Sequence, residues 1–218
     1  MRVLFLGDIV GRAARHAVIE HVPELRAELS LDFIVVNCEN AAGGFGVTPA
    51  ICDELFACGI DVLTTGNHVW DKREIIPYIE ANPRLIRPIN MAEGTPGSGT
   101  VKVTNDAGKR LVVVNAITNL FMNDYDPVFP AVNGALPPLS GASNRDMAIS
   151  ATMPACAASL PAASASSAAS AARVRPASFL SAAFSAAGSI IGSDMMVWRG
   201  RPTGTGKKEG GDDQNNRR

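Results

Sequence analysis

The chain has 218 residues, which is enough for one domain with a substantial core or for one domain and a tail. Its formal net charge of -1 and its pI of about 6.3 exclude a general electrostatic attraction to nucleic acids or anionic membranes. No apolar run is long enough to span a bilayer and the four cysteines form no CxxC pair, so we expect a protein of the reducing cytoplasm.

Three short apolar runs, at residues 3–6, 33–36 and 62–63, alternate with helical patterns in the first part of the chain. Each run is apolar throughout, which is typical of strands that are buried on both faces. The order strand, helix, strand, helix, strand, helix predicts right-handed crossovers onto one parallel sheet, and therefore an α/β fold.

The two helices that connect these strands have different end signals. The first is predicted over residues 11–29, with a break at Pro23 because proline cannot donate a backbone hydrogen bond. In the second, Thr48 can cap the first turn, Pro49 suits the first helical position, and Gly59 ends the helix.

A third helix and a hairpin follow. The helix is predicted to begin at Asp71, because Glu74 three residues later completes a capping-box pattern. The stretch "TVKVTNDAGKRLVVVNAI" then places two β-rich runs on either side of "NDAGK". Because "NDAGK" is a turn signal, this stretch predicts a β-hairpin.

The composition changes near residue 130. Residues 1–130 are typical of a globular α/β protein, whereas residues 131–198 are rich in Ala and Ser and poor in charge. Ala favours helix, but few large apolar side chains are available there to hold a helix in a tertiary position. Residues 199–218 are polar and Gly-rich, and we predict that they are disordered.

Polar side chains follow each of the three predicted parallel strands. Asp8 follows the first, Glu39 and Asn40 follow the second, and Asn67 and His68 follow the third. The carboxyl ends of parallel strands share one edge of a sheet, where ligands bind, so we expect these five residues to lie in one region.

These residue types suit a metal-assisted reaction on a phosphoester. Carboxylate and amide oxygens bind Mg²⁺, Mn²⁺ or Fe²⁺, a carboxylate can bridge two metals, and a histidine can protonate a leaving oxygen. Each residue also has a structural explanation: Asp8 could cap a helix, and Glu39 with Asn40 could form a turn. The other histidines, His16 and His21, lie on different sides of the first helix and are interpreted as surface residues.

The motifs "GDIVGR", "NCENAAGGFGVT" and "TTGNHVWD" together resemble the signatures of the calcineurin-like metallophosphoesterases, and within them the YmdB-type branch. The resemblance covers about residues 1–128. It implies a sandwich of mixed sheets flanked by helices. It also implies a cytoplasmic, self-associating phosphodiesterase that hydrolyses small 2′,3′- or 3′,5′-cyclic nucleotides.

The resemblance further implies a role for each of the five polar residues. Asp8 would bind one divalent iron or manganese ion together with Asn40, and Asn67 would bind a second ion. Glu39 would bridge the two ions, and His68 would donate a proton to the leaving group.

The second half of the chain departs from this family pattern. The family takes further histidine ligands from segments that resemble "DFHAE" and "GTHTHV"; neither segment is present, and no histidine follows His68. We therefore expect an incomplete ligand set and an incomplete sandwich. One alternative function is a catalytically incomplete remnant with at most weak metal or nucleotide binding. Another is a Rossmann-type cofactor binder, although the first strand is not followed by GxGxxG.

The end of the resemblance, the loss of histidine and the Ala/Ser-rich composition coincide at about residues 128–150. We interpret the following residues as an off-frame read of a GC-rich gene, with a naturally divergent tail as the alternative. A half-sandwich would leave an apolar edge exposed, so the chain is expected to form homo-oligomers.

Overall fold

The computed structural model describes residues 1–119, 125–135, 147–152 and 196–199, the last two as strand backbone. The strands and helices in these residues are, in chain order, β1 (Arg2–Leu6), α1 (Gly11–Glu28), β2 (Phe33–Asn37), α2 (Pro49–Ala57), β3 (Val62–Thr64), α3 (Ile75–Ala81), β4 (Leu85–Ile86), β5 (Thr100–Thr104), β6 (Arg110–Ile117), α4 (Val128–Ala135), β7 (Met147–Thr152) and β8 (Met196–Arg199). Among them, no helix is long and apolar enough to cross a membrane.

The strands form two sheets. The first has the order β4-β3-β2-β1-β8, and the second has the order β5-β6-β7. In the first sheet β1, β2, β3 and β4 are parallel, while β8 pairs antiparallel with β1. The predicted parallel sheet is confirmed, and with it the mixed α/β class.

The continuous apolar runs are explained by burial on both faces of the first sheet. Ile34 and Val36 of β2 join the core cluster that contains the buried face of α1, whereas Phe33 and Val35 join a second cluster. That second cluster includes Leu111 and Val113 of β6, which belongs to the other sheet. The fold is therefore layered as helices, first sheet and second sheet, with an apolar core on each side of the first sheet.

The prediction that the first helix breaks at Pro23 is wrong. Helix α1 continues through this proline, which lies on the exposed side. Val18 and Leu25, on either side of it, are both buried. The packing on both sides outweighs the missing backbone hydrogen bond. The second helix is confirmed: Oγ1 of Thr48 accepts from the backbone N–H of Ile51 at 3.3 Å.

The predicted start of the third helix is also wrong. Helix α3 begins at Ile75, and neither a capping box nor any other side-chain cap is present at Glu74. The Asp71 side chain has a different partner, as described below. The hairpin is confirmed: β5 and β6 pair antiparallel, and Oδ1 of Asn105 accepts from the backbone N–H of Lys109 at 2.9 Å.

Two strands come from the Ala/Ser-rich part of the chain. Strand β7 pairs parallel with β6, and β8 pairs antiparallel with β1. Neither strand has a sequence signal that we recognised. The disordered tail, the Ala-rich helix and the off-frame interpretation fall mainly on residues outside the described ranges, and they stay predictions.

Candidate functional site

The loops that leave β1 and β2 are joined by backbone hydrogen bonds. The N–H of Ile9 donates to the carbonyl of Asn37 at 3.1 Å, and the N–H of Gly11 donates to the carbonyl of Asn40 at 2.9 Å. The side-chain oxygen of Asn37 accepts from the N–H of Glu39 at 3.1 Å, which turns the chain as β2 ends. These bonds hold Asp8 and Asn40 at the same edge of the sheet.

Asp8 and Asn40 are paired directly. Nδ2 of Asn40 donates to Oδ2 of Asp8 at 2.6 Å. Asp8 does not cap the first helix, because the N-cap is Val10 and has no side-chain hydrogen bond. The structural explanation of Asp8 as a helix cap is therefore wrong.

Glu39 is buried and lies against the backbone of the residues that follow β3. It is only 3% exposed. Its carboxylate accepts from the backbone N–H of His68, at 3.4 Å from Oε2, and from that of Asn67. A Cβ on Gly66 would lie 2.6 Å from the carboxyl carbon of Glu39, so a side chain there would displace the carboxylate. The absence of a side chain at Gly66 makes this close approach of the carboxylate possible.

The site contains two acidic side chains, Glu39 and Asp8, and the pKa of each is raised. Burial, with the nearby charge of Asp8, raises the pKa of Glu39 to about 7, although the hydrogen bonds from His68 and Asn67 oppose the shift. Burial also raises the pKa of Asp8, against the hydrogen bond from Asn40 and the attraction of His68. Two acids that repel each other in a partly dry site are stabilised by a cation.

Two oxygen atoms of the site are available to bind such a cation. Within the described residues, Oδ1 of Asp8 and Oδ1 of Asn40 are buried and have no hydrogen-bond partner. Buried oxygens normally have a partner, and a hard divalent ion satisfies oxygens of this kind. The same residues include no group of three or more His, Cys, Asp or Glu side chains that could hold a metal. The set therefore fits one oxygen-rich ion site made from carboxylates and amides.

His68 is held by a carboxylate. Its Nδ1 lies 2.8 Å from Oδ2 of Asp71, and both side chains are partly exposed. An ionised carboxylate only accepts hydrogen bonds, so this contact favours the tautomer of His68 that carries a proton on Nδ1. The ring of Phe45 meets the His68 ring edge to face, with centroids 5.0 Å apart.

The structure thus brings together Asp8, Glu39, Asn40, the backbone of Asn67, and His68. Sequence reasoning missed three neighbours. Asp71 was assigned to a helix cap, although its spacing of three residues from His68 was a usable signal. Gly66 stands in the same motif. No motif marks Tyr125, whose pKa is raised by burial and by the charge of Glu39.

We predict that removing the charge of Glu39 flattens the pH dependence of stability in the metal-free protein. The folded-state pKa of about 7 lies above the ordinary value of 4.5, so the folded state binds more protons between these values. This stabilising contribution, of about 3 kcal/mol, is complete below pH 4.5 and is lost as the pH rises to about 7.

The effect is measured by urea unfolding, which gives the free energy of unfolding. The wild type and Glu39→Gln are compared from pH 4.5 to pH 8 with a chelator present. The variant should be the more stable of the two at the alkaline end. Parallel stability profiles for the two proteins would contradict the prediction.

Comparison with known proteins gives a family match. A model of the YmdB-like protein family matches residues 4–155, which extends past the residues that carry the three motifs. A Bacillus subtilis protein named 2′,3′-cyclic-nucleotide 2′-phosphodiesterase is 44% identical over 129 residues, covering 59% of this chain and 48% of that protein. The chain spans about half the length of the curated relatives it matches.

Solved structures show the same fold. A hypothetical protein from Thermus thermophilus superposes with a TM-score of 0.63 at 30% identity, covering 71% of this chain and 58% of that one. A phosphatase from Mycoplasma pneumoniae superposes with a TM-score of 0.62 at 20% identity, covering 71% and 56% of the two chains. The second likeness is evidence of the fold alone.

Proposed function

Because the chain belongs to the YmdB-like family, we propose that it carries the oxygen-rich half of a metal-dependent site that hydrolyses cyclic nucleotides as a phosphodiesterase. One observation carries the proposal: the buried, partnerless oxygens of Asp8 and Asn40 lie beside the buried carboxylate of Glu39. The name of the Bacillus subtilis relative supports the choice of cyclic nucleotides as substrates.

Asp8, Glu39, Asn40 and Asn67 would hold the metal in this proposal. The proposal includes the dinuclear iron or manganese centre that the family resemblance implies, in which Glu39 would be the ligand shared by both ions. When bound, divalent metal would polarise the phosphoryl group and promote ionisation of the attacking water.

The chain's own residues would protonate the leaving group. Asp71 would hold the proton on Nδ1 of His68, which would leave Nε2 for proton transfer. A protonated Nε2 would donate to the ribose oxygen as the phosphorus–oxygen bond breaks. Because the alkoxide of a sugar is a poor leaving group, this proton contributes strongly to the rate.

A second candidate function is a remnant that binds one metal ion weakly and does not turn over substrate. The absence of a cluster of His, Cys, Asp or Glu ligands among the described residues favours it. Amide and carboxylate oxygens alone suit a single hydrated ion better than a pair of ions.

Two measurements on the full chain separate these functions. The first is metal content per chain after loading with Mn²⁺ or Fe²⁺, and the second is conversion of adenosine 2′,3′-cyclic monophosphate to the 3′-monophosphate. We expect bound metal and turnover, both lost in Asp8→Asn and kept in Asp106→Asn, a change at an exposed position in the hairpin turn. Two ions per chain would support the dinuclear centre; one ion without turnover would support the remnant; neither metal nor turnover would contradict both.

The cytoplasmic location is also part of this proposal. Cys38, Cys52 and Cys58 are all free thiols, which is the usual state in a reducing compartment.

A further inference from the structure

We propose that the exposed ring of Phe45 is the surface on which the nucleobase of the substrate stacks. The proposal rests on the proposed function, because it assigns a substrate-binding residue to the same site. Exposure alone does not single out Phe45, since Phe45 is 59% exposed and Phe129 on α4 is 82% exposed. Its position and its rigid support distinguish it.

The loop that carries Phe45 is held firmly by its own backbone. The N–H of Gly44 donates to the carbonyl of Asn40 at 3.0 Å, and the N–H of Ala42 donates to the carbonyl of Gly46 at 2.9 Å. Gly43, Gly44 and Gly46 have φ values of 77°, 103° and 76°, which side chains rarely tolerate, so the tight turn depends on glycine.

The loop is also packed against the segment that follows His68. A Cβ on Gly46 would lie 2.9 Å from Cγ of Lys72 and 3.2 Å from Cβ of Asp71, so the two segments are in close contact. Val47, the next residue, is fully buried. The aromatic ring therefore projects into solvent from a fixed base, and little conformational entropy is lost when a flat ligand binds to it.

The position of the ring suits a nucleotide. The rings of Phe45 and His68 are 5.0 Å apart at 71°, an edge-to-face contact, and Phe45 remains more than half exposed. His68 is the proposed proton donor to a ribose oxygen. The base and the cyclic phosphate are attached to the same ribose, so the base must lie within one sugar of that oxygen. An aromatic face at that place can stack on any base, because every base has a π face.

The experiment compares a nucleoside monophosphate with a sugar monophosphate that carries no base. Binding of adenosine 3′-monophosphate and of ribose 5-phosphate to the full chain with Mn²⁺ is measured by calorimetry, for the wild type, Phe45→Ala, Phe45→Leu and Phe45→Trp. Phe45→Ala and Phe45→Leu should weaken the nucleotide about tenfold and leave ribose 5-phosphate unchanged. Phe45→Trp should retain the wild-type affinity, and Phe129→Ala, the matched exposed control, should change neither ligand.

The remaining outcomes each overturn the proposal. Equal weakening of both ligands would mean that Phe45 only supports His68 and the loop. No weakening of either ligand, or no binding of the nucleotide to the wild type, would mean that no base stacks there. The binding assay does not depend on turnover. Base-dependent binding without hydrolysis would contradict the phosphodiesterase function and support the stacking surface. Hydrolysis with unchanged nucleotide binding in Phe45→Ala would support the phosphodiesterase function and contradict the stacking surface.

Discussion

Replacing His68 by alanine is expected to lower the rate of hydrolysis of a 2′,3′-cyclic nucleotide by about 10²- to 10⁴-fold. The reason is the loss of the imidazole whose Nδ1 is held by Asp71 at 2.8 Å and whose Nε2 is left for proton transfer. Steady-state kinetics with adenosine 2′,3′-cyclic monophosphate measure the loss, which should fall on kcat more than on KM.

The proposed role of His68 as a proton donor leads to a second expected result. A 4-nitrophenyl phosphodiester has a leaving group that needs no proton, so His68→Ala should lose much less activity with that substrate. The matched control is His16→Ala, since His16 is an exposed histidine on α1. An equal loss with both substrates would assign His68 to metal or substrate binding and not to proton transfer.

Replacing Gly66 by alanine is expected to weaken Mn²⁺ binding by about 100-fold, because it displaces the carboxylate of Glu39, which we propose as a metal ligand. The added Cβ would lie 2.6 Å from the carboxyl carbon of Glu39 and 2.7 Å from its Oε1. The backbone of Gly66 is not in the left-handed region, so alanine can adopt it and the effect is steric.

The stability of this variant separates a local displacement from misfolding. Glu39 can relieve the overlap by rotating its side chain, so the free energy of unfolding should fall by only about 1–3 kcal/mol. Gly134→Ala is the matched control, because a Cβ there meets nothing within 4 Å and Gly134 lies in a helix, where alanine is preferred. Calorimetric Mn²⁺ titration with urea unfolding of both variants measures the two quantities; unchanged Mn²⁺ affinity in Gly66→Ala would remove Glu39 from the ligand set.

Much of the first sheet was predictable because its signals are local. A strand buried on both faces must be apolar throughout. The sequence runs within β1, β2 and β3 have this character. The ends of α2 were predictable for the same reason, since Thr48 needs only the N–H of Ile51 three residues away to cap the helix. Parallel order then placed Asp8, Glu39 and His68 at one edge without any knowledge of their contacts.

The errors arose where another contact outweighed the one that the sequence pattern suggested. Asp71 has the spacing of a helix cap with Glu74, but its carboxylate binds the ring of His68 instead. Pro23 removes one hydrogen bond from α1, yet Val18 and Leu25 are buried on either side and keep the helix continuous. Strands β7 and β8 lie beyond the hairpin, where no strand was predicted, and are defined by their partners β6 and β1. In each case a contact other than the one inferred from the sequence is the stronger one.

By itself, the sequence determined the α/β class, the parallel strand order and the five polar residues at one sheet edge, since each follows from short-range pattern and chain order. Only the tertiary structure decided the state of the site: that Asp8 pairs with Asn40, that Glu39 is buried against Gly66 with a raised pKa, and that Phe45 stands beside His68. The physical reason is that burial and electrostatic repulsion depend on distances between segments far apart in the chain, and those distances exist only after the sheet has formed.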